Sequence, residues 1–219
     1  ISASVQRLKY VLGDFASSTI AWFLYTCIRY VINEDLMHLQ GYKSLADFLL
    51  SPNVMLGMAL FPMVMMGVYY LSGYYNEVFR KSRLQELFTT LASTVINSLM
   101  IFFSALINDM ATDRAYNYEM ILILFGLLFV FVYCVRAIIT SHGSRMIKTR
   151  KWQFNTLVIG DGKDAVALGQ NFNKMRESIG YNVVGYVHIA GEESATEGSY
   201  ELSSLKSVCA ELGVQELIV

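Results

Sequence analysis

The chain has 219 residues, 54% of them hydrophobic, and a formal net charge of −1 that conceals two unlike halves. Residues 1–151 carry 13 Lys and Arg against 9 Asp and Glu, while residues 152–219 carry 4 against 9. A basic apolar part joined to an acidic one excludes a nucleic-acid binder, which would gather Lys and Arg on its water-facing surface. Three cysteines without metal-ligand spacing exclude a disulfide framework and a zinc site. Cys27, Cys134 and Cys209 are expected as small buried hydrophobes.

The chain opens on Ile1, so a short N-terminal piece is expected to precede it, and its first apolar run is too long for a cleavable signal peptide. A first membrane span is predicted over about 11–32. It contains Arg29, one turn from the exit, where the long stem reaches the headgroups, and Asp14, among Gly13, Ser17 and Ser18. Asp14 has two readings: it meets water, or it pairs with Arg136 in the fourth span. Residues 33–53 read as a polar hairpin with an amphipathic piece, KSLADFLL, along the interface.

Ser51-Pro52 supplies a capping hydroxyl and a proline at the first helical position, starting a second span over 54–72. That span is rich in methionine, expected as core packing with a surface that holds a lipid chain as the alternative, and tolerates Pro62 as a kink. Tyr69, Tyr70, Tyr74 and Tyr75 suit a membrane–water boundary. Ser82 and Gln85 have capping-box spacing ahead of a third span over 87–107. Its Thr89, Thr90, Ser93, Thr94, Asn97, Ser98 and Ser104 point to helix–helix contact, with a polar channel as the sharper alternative.

The fourth span, 119–140, is the strongest signal. Met120 to Val135 is sixteen residues without a charge, and twenty-one helical residues cover ~31 Å, the thickness of a bilayer core. A basic collar, SHGSRMIKTRKW, follows. Nine cations lie on one side of the four spans (Arg7, Lys9, Arg80, Lys81, Arg83, Arg145, Lys148, Arg150, Lys151). Three lie on the other (Arg29, Lys43, Arg114), alongside Glu34, Asp35, Asp47, Asp109 and Asp113. Both termini are therefore expected in the cytoplasm.

After the collar the pattern becomes that of an α/β domain, with the boundary placed at 151/152. Residues 156–160 read as a buried parallel strand ending at Gly160. Gly160, Gly162 and Ala165 form a G-x-G-x-x-A turn into a helix running to about Ser178 and closed by Gly180. Such a turn permits a tight bend, close approach to a phosphate and close helix–strand packing, so Gly160, Gly162 and Ala165 are the candidate nucleotide-binding residues, for NAD or for another nucleotide or nucleotide-sugar. A second strand over 181–188, a helix near 202–212 and a last strand over 215–219 complete a β-α-β-α-β order and a right-handed parallel sheet. The acid that usually binds a ribose after the second strand is missing: Val187, His188 and Ile189 stand there, and Glu192 and Glu193 come only in the next loop. Asp161 and Asp164 put negative charge where a phosphate would lie. His188 reads as a strand-end residue. No catalytic carboxylate pair, Ser/His/Asp set or metal cluster emerges, so no catalytic residue and no cofactor is assigned.

The stretches RKSRLQELFTTLAST (80–94), KWQFNTLVIGDGKDAVAL (151–168) and GYNVVGYVH (180–188), with the four spans, resemble the N-terminal half of bacterial polyprenyl-phosphate glycosyl-1-phosphate transferases. The resemblance covers essentially the whole chain. It implies a four-helix membrane domain followed by an incomplete Rossmann-like (CoA-binding-like) domain, in the inner membrane. It further implies a parent enzyme that moves a sugar phosphate from a UDP-sugar to undecaprenyl phosphate, beginning exopolysaccharide synthesis with Mg²⁺. This half would anchor, regulate or dimerise that enzyme, whose Asp-Glu pair and re-entrant helix are expected beyond Val219. Two other readings stand beside it: the N-terminal part of a membrane-bound nucleotide-sugar dehydratase or epimerase, and a non-enzymatic membrane module.

Overall fold

The computed structural model describes residues 3–76, 78–79, 81–107, 114–189 and 199–219. It divides into two compact units, Ile1–Ser141 and His142–Val219. The division lies ten residues before the expected boundary, because the helix of the fourth span continues past it. Arg80, Asp109, Asp113, Glu192 and Glu193 lie outside the described residues.

Four helices of the first unit are long and apolar enough to cross a membrane: α1 (Ala3–Ile32), α4 (Pro52–Leu71), α5 (Arg83–Ile107) and α6 (Arg114–Lys148). Between α1 and α4 lie two short helices, α2 (Glu34–Leu39) and α3 (Leu45–Leu49). The helix α1 begins eight residues before the expected span, and its early turns place Gln6 and Tyr10 in the interior. Gly13 is the close-approach point between α1 and α6, since a Cβ there would lie 2.8 Å from Val135. Farther along, the Trp22 ring stacks on Phe61 of α4 at 3.8 Å. Pro62 is accommodated inside α4.

The distribution of side chains is the reverse of that in a water-soluble bundle. Leu12, Phe15, Ile20 and Phe23 of α1, Leu56 and Met63 of α4, Phe88 and Ile96 of α5, and Leu122, Val130 and Ile138 of α6 face outward. Asp14, Ser17, Ser18, Glu86, Thr90, Thr94, Asn97, Arg136 and Thr140 face inward. An apolar exterior of this extent suits hydrocarbon, and polar side chains serve as helix–helix glue within it.

Several expectations need correction. Cys134 is exposed on the bundle surface, and Cys27 and Cys209 are half-buried; all three are free thiols. The methionines of α4 split, with Met65 buried and Met55 and Met63 facing out, as expected of a helix surrounded partly by lipid. The Ser51 hydroxyl does not cap α4. It donates back to Phe48 O at 2.7 Å, leaving Pro52 to start the helix by its fixed φ alone. At α5 the expected cap is present, Gln85 N donating to Ser82 Oγ at 3.1 Å.

The second unit contains the end of α6 and a four-stranded sheet. Its strands are β1 (Phe154–Ile159), β2 (Tyr181–His188), β3 (Tyr200–Glu201) and β4 (Glu216–Ile218). All pairings are parallel, in the order β3-β2-β1-β4. The helix α7 (Lys163–Lys174) follows β1, and α8 (Leu205–Glu211) precedes β4. The sheet thus has one strand more than expected, the two-residue β3, too short to show as a β-branched run. It leaves β4 at an edge. The core is Leu157, Val187 and Val208, packed by Val184, Leu205 and Val214.

Two glycines carry special roles here. Gly180, at φ +100°, precedes β2 where a Cβ would crowd Ile147 and Phe154. It does not close α7, which stops at Lys174 because Met175 turns to ψ 136°. Gly169, buried on α7, faces the Tyr186 ring of β2, where a Cβ would overlap the phenol.

Arg150 explains how both helices of this region end. Its backbone takes φ 58°, and the next two amides, Lys151 N and Trp152 N, both donate to Met146 O. Its guanidinium donates to Asn173 O at 2.6 Å and Met175 O at 2.8 Å, over the negative end of α7. Lys148 pairs with Glu177 at 2.9 Å. Half of the expected collar cations therefore act inside the second unit.

Candidate functional site

Inside the first unit, residues from α1, α4, α5, α6 and the 72–82 connection converge on one buried guanidinium. The side chain of Arg136 is fully enclosed. Its Nε donates to Asp14 Oδ1 at 2.7 Å and its Nη2 to Asp14 Oδ2 at 2.6 Å, a bidentate fork. A third bond runs from Nη1 to Thr90 Oγ1 at 3.1 Å. The rings of Tyr74 and Tyr69 cover it at 3.6 and 4.3 Å. The Asp14 carboxylate also accepts from Tyr75 Oη at 2.9 Å. Of the two sequence readings of Asp14, the structure brings it together with Arg136.

A second carboxylate lies beside this pair. Glu86, 1% exposed, accepts from the hydroxyls of Tyr74 and Thr140, and Tyr10 Oη lies 2.8 Å from Thr140 Oγ1. Lys81 sits over the Tyr74 ring and donates to Tyr74 O. Two acids and one guanidinium thus share an interior closed by phenols. Burial first, and then the Asp14 carboxylate, pushes the Tyr75 hydroxyl above the usual phenol range. Burial likewise pushes Tyr74 up, with Glu86 adding to it. Both remain hydrogen-bond donors across physiological pH.

The arrangement corrects the tyrosine expectation. Only Tyr70 stands outward as a boundary residue, at 73% exposure; Tyr69, Tyr74 and Tyr75 are turned in. The Tyr74 and Tyr75 hydroxyls donate to the buried carboxylates of Glu86 and Asp14, and the Tyr69 ring covers Arg136, a stronger demand than a boundary position makes. A span that begins at Leu87 leaves Glu86 just outside it. The signal was present: Glu86, Thr90, Ser93 and Asn97 recur at helical spacing and form one stripe, all of it buried. Deeper along that stripe, both amide atoms of Asn97 and the Ser98 hydroxyl are buried without a hydrogen-bond partner among the described residues.

Two cavities open where this network meets the helix ends. One, of ≈ 340 Å³, is lined by Tyr74, Asn76, Lys81, Gln85 and Thr89 among others. The other, of ≈ 420 Å³, is lined by Arg7, Val11, Met66, Tyr70, Tyr75 and Asn76.

In the second unit the glycine turn is built as its spacing implies, but its neighbours differ. Gly160 takes φ +121° at the end of β1, and its N donates to Val187 O at 2.8 Å. Gly162 precedes α7 in extended geometry. Ala165 is half-buried; the close helix–strand approach falls at Gly169, one turn later. Asp161 is fully buried and its carboxylate meets His188 Nδ1 at 3.0 Å. His188, expected only to end a strand, thus ties the tip of β2 to the turn after β1. No group of three or more His, Cys, Asp or Glu side chains among the described residues is placed to hold a metal ion.

Fold and site together define a four-helix bundle consistent with a lipid bilayer, its interior fastened by a buried ion pair, and a small parallel α/β unit. No protein-family model and no curated protein matches the chain.

Proposed function

We propose that this chain is the membrane-anchoring, regulatory or dimerising N-terminal part of a polyprenyl-phosphate glycosyl-1-phosphate transferase. Its parent takes a sugar 1-phosphate from a UDP-sugar to undecaprenyl phosphate and so starts a surface polysaccharide at the inner membrane. The observation that carries the reading is the order of parts along the chain: four apolar helices, then a parallel sheet whose first strand is followed at once by the positive-φ Gly160. The strand order β3-β2-β1-β4 supports a Rossmann-like reading of that sheet, since it matches the start of the doubly wound order. With Asp161 buried at the turn and held by His188, Gly160, Gly162 and Ala165 serve as a structural turn rather than a phosphate cradle. The chemistry, with its Mg²⁺ and polyprenyl phosphate, belongs to the parent's catalytic part; phosphoryl transfer needs positioned charge of a kind assigned to none of the acids here.

The test incubates the 219-residue protein and its full-length parent with undecaprenyl phosphate, Mg²⁺ and a panel of UDP-sugars, following UMP release. Release by the parent alone is expected. Turnover by the fragment overturns the anchoring role, and a parent that dehydrates or epimerises a UDP-sugar instead overturns the transferase reading. Orientation is tested separately with cysteine substitutions at Lys43 and Lys148 in intact cells. An impermeant reagent labels Lys43→Cys and spares Lys148→Cys if both ends face the cytoplasm; the reverse pattern contradicts the cation bias.

A further inference from the structure

The larger cavity beside the ion pair has the chemistry of an amphiphile site. Its walls come from α1, through Arg7 and Val11, and from α4 and the turn after it, through Met66, Tyr70, Tyr75 and Asn76. Arg7 precedes Val11 by one helical turn, and Met66 precedes Tyr70 by one turn. The cavity is thus polar at the helix ends and apolar about one turn inward, ~6 Å along the axis. At its mouth stand the Arg7 guanidinium, the exposed Tyr70 ring and Asn76. Within it, Tyr75 Oη lies 3.6 Å from Met66 Sδ.

Arg7 is held in place rather than left to wave. Its Nε donates to Tyr75 O at 3.0 Å, and its terminal nitrogens have no partner among the described residues. Tyr75 in turn donates to Asp14, so this cation is tied through one residue to the buried ion pair. The smaller cavity is a weaker candidate, because its cation, Lys81, is already spent on Tyr74.

We propose that this cavity binds the headgroup of an anionic phospholipid. The phosphate sits on the two terminal nitrogens of Arg7, and the first methylenes of a chain run along Val11 and Met66. Charge complementarity fixes the sign of the headgroup, since a fork of guanidinium N–H groups fits phosphate oxygens. The apolar inner wall, at the end of two bilayer-length helices, fixes the rest of the ligand as lipid; basic pockets between membrane helices hold anionic headgroups in this way. The inference rests on the bilayer reading of the bundle and not on the transferase proposal.

Native mass spectrometry of the full 219-residue protein, loaded with equal amounts of phosphatidylglycerol and phosphatidylcholine of matched chains, tests it. One phosphatidylglycerol is retained in preference to phosphatidylcholine. Arg7→Ala lowers that preference roughly tenfold, the loss of a charge-assisted contact. Arg7→Lys, which keeps the charge without the fork, falls between, and reads the site even should the alanine variant fail to fold. Met66→Trp fills the inner wall and lowers retention with Arg7 intact. Glycerol phosphate, the soluble headgroup, does not displace the lipid. Equal retention of both lipids by the wild type, an unchanged preference in Arg7→Lys, or displacement by glycerol phosphate overturns the proposal.

Discussion

Arg136→Gln lowers the stability of the detergent-solubilised bundle by about 3–5 kcal/mol, the usual cost of orphaning a buried charge. The reason is the number of groups that one guanidinium satisfies. Asp14 loses both arms of its fork and keeps, among the described residues, the Tyr75 hydroxyl; Thr90 loses its donor; two aromatic faces lose the cation they cover. Glutamine reaches one of these partners, not all of them. The bundle's outer surface is apolar, and the substitution leaves a carboxylate inside it without its counter-charge. Thermal unfolding followed by circular dichroism reads the loss. An unchanged midpoint would show that Asp14 is satisfied some other way.

Gly169→Val is the second large effect, and it falls on the other unit. The added Cβ meets the Tyr186 phenol directly, and Tyr186 is anchored in β2, so either the ring swings off its place over α7 or α7 lifts from the sheet. Overpacking of this kind costs about 1–3 kcal/mol, and a β-branched residue in a helix adds several tenths. For a sheet ending in a three-residue edge strand, that is a large share of the total stability. Limited proteolysis should cut the second unit of the variant while α1 and α4–α6 stay protected. Tyr186→Ala combined with Gly169→Val restores resistance if the clash is the cause.

What was legible in the sequence was whatever depends on hydrophobic length or on a strict backbone requirement. The four spans showed as long apolar runs, β2 as a stretch rich in Val and Tyr, and Gly160 as the turn that follows β1. Asp14 and Arg136 were legible as a pair because a lone charge in an apolar run needs a partner. Other features were not, for identifiable reasons. The inward turn of Tyr74 and Tyr75 depends on the donors that buried Glu86 and Asp14 require, and that of Tyr69 on the cation it covers, neither of which local propensity records. Glu86 sits at the boundary of its span, where a carboxylate is unremarkable until its stripe mates are counted. The α7 stop at Lys174 comes from a single ψ at Met175, and Arg150 reaches across 23 residues to seal it; neither has a composition signal.

Asp14 and Arg136 fasten α1 to α6 inside the bundle, and a double-mutant cycle measures that link directly. Asp14→Asn, Arg136→Gln and the double variant are unfolded in the same detergent, and the three losses are compared. Hydrogen-bonded pairs in membrane proteins couple by about 0.6 kcal/mol on average, with a maximum near 1.7. A bidentate, fully enclosed ion pair should reach or exceed that upper value, so the double variant loses markedly less than the sum of the singles. Additive losses, with coupling near zero, would contradict the account.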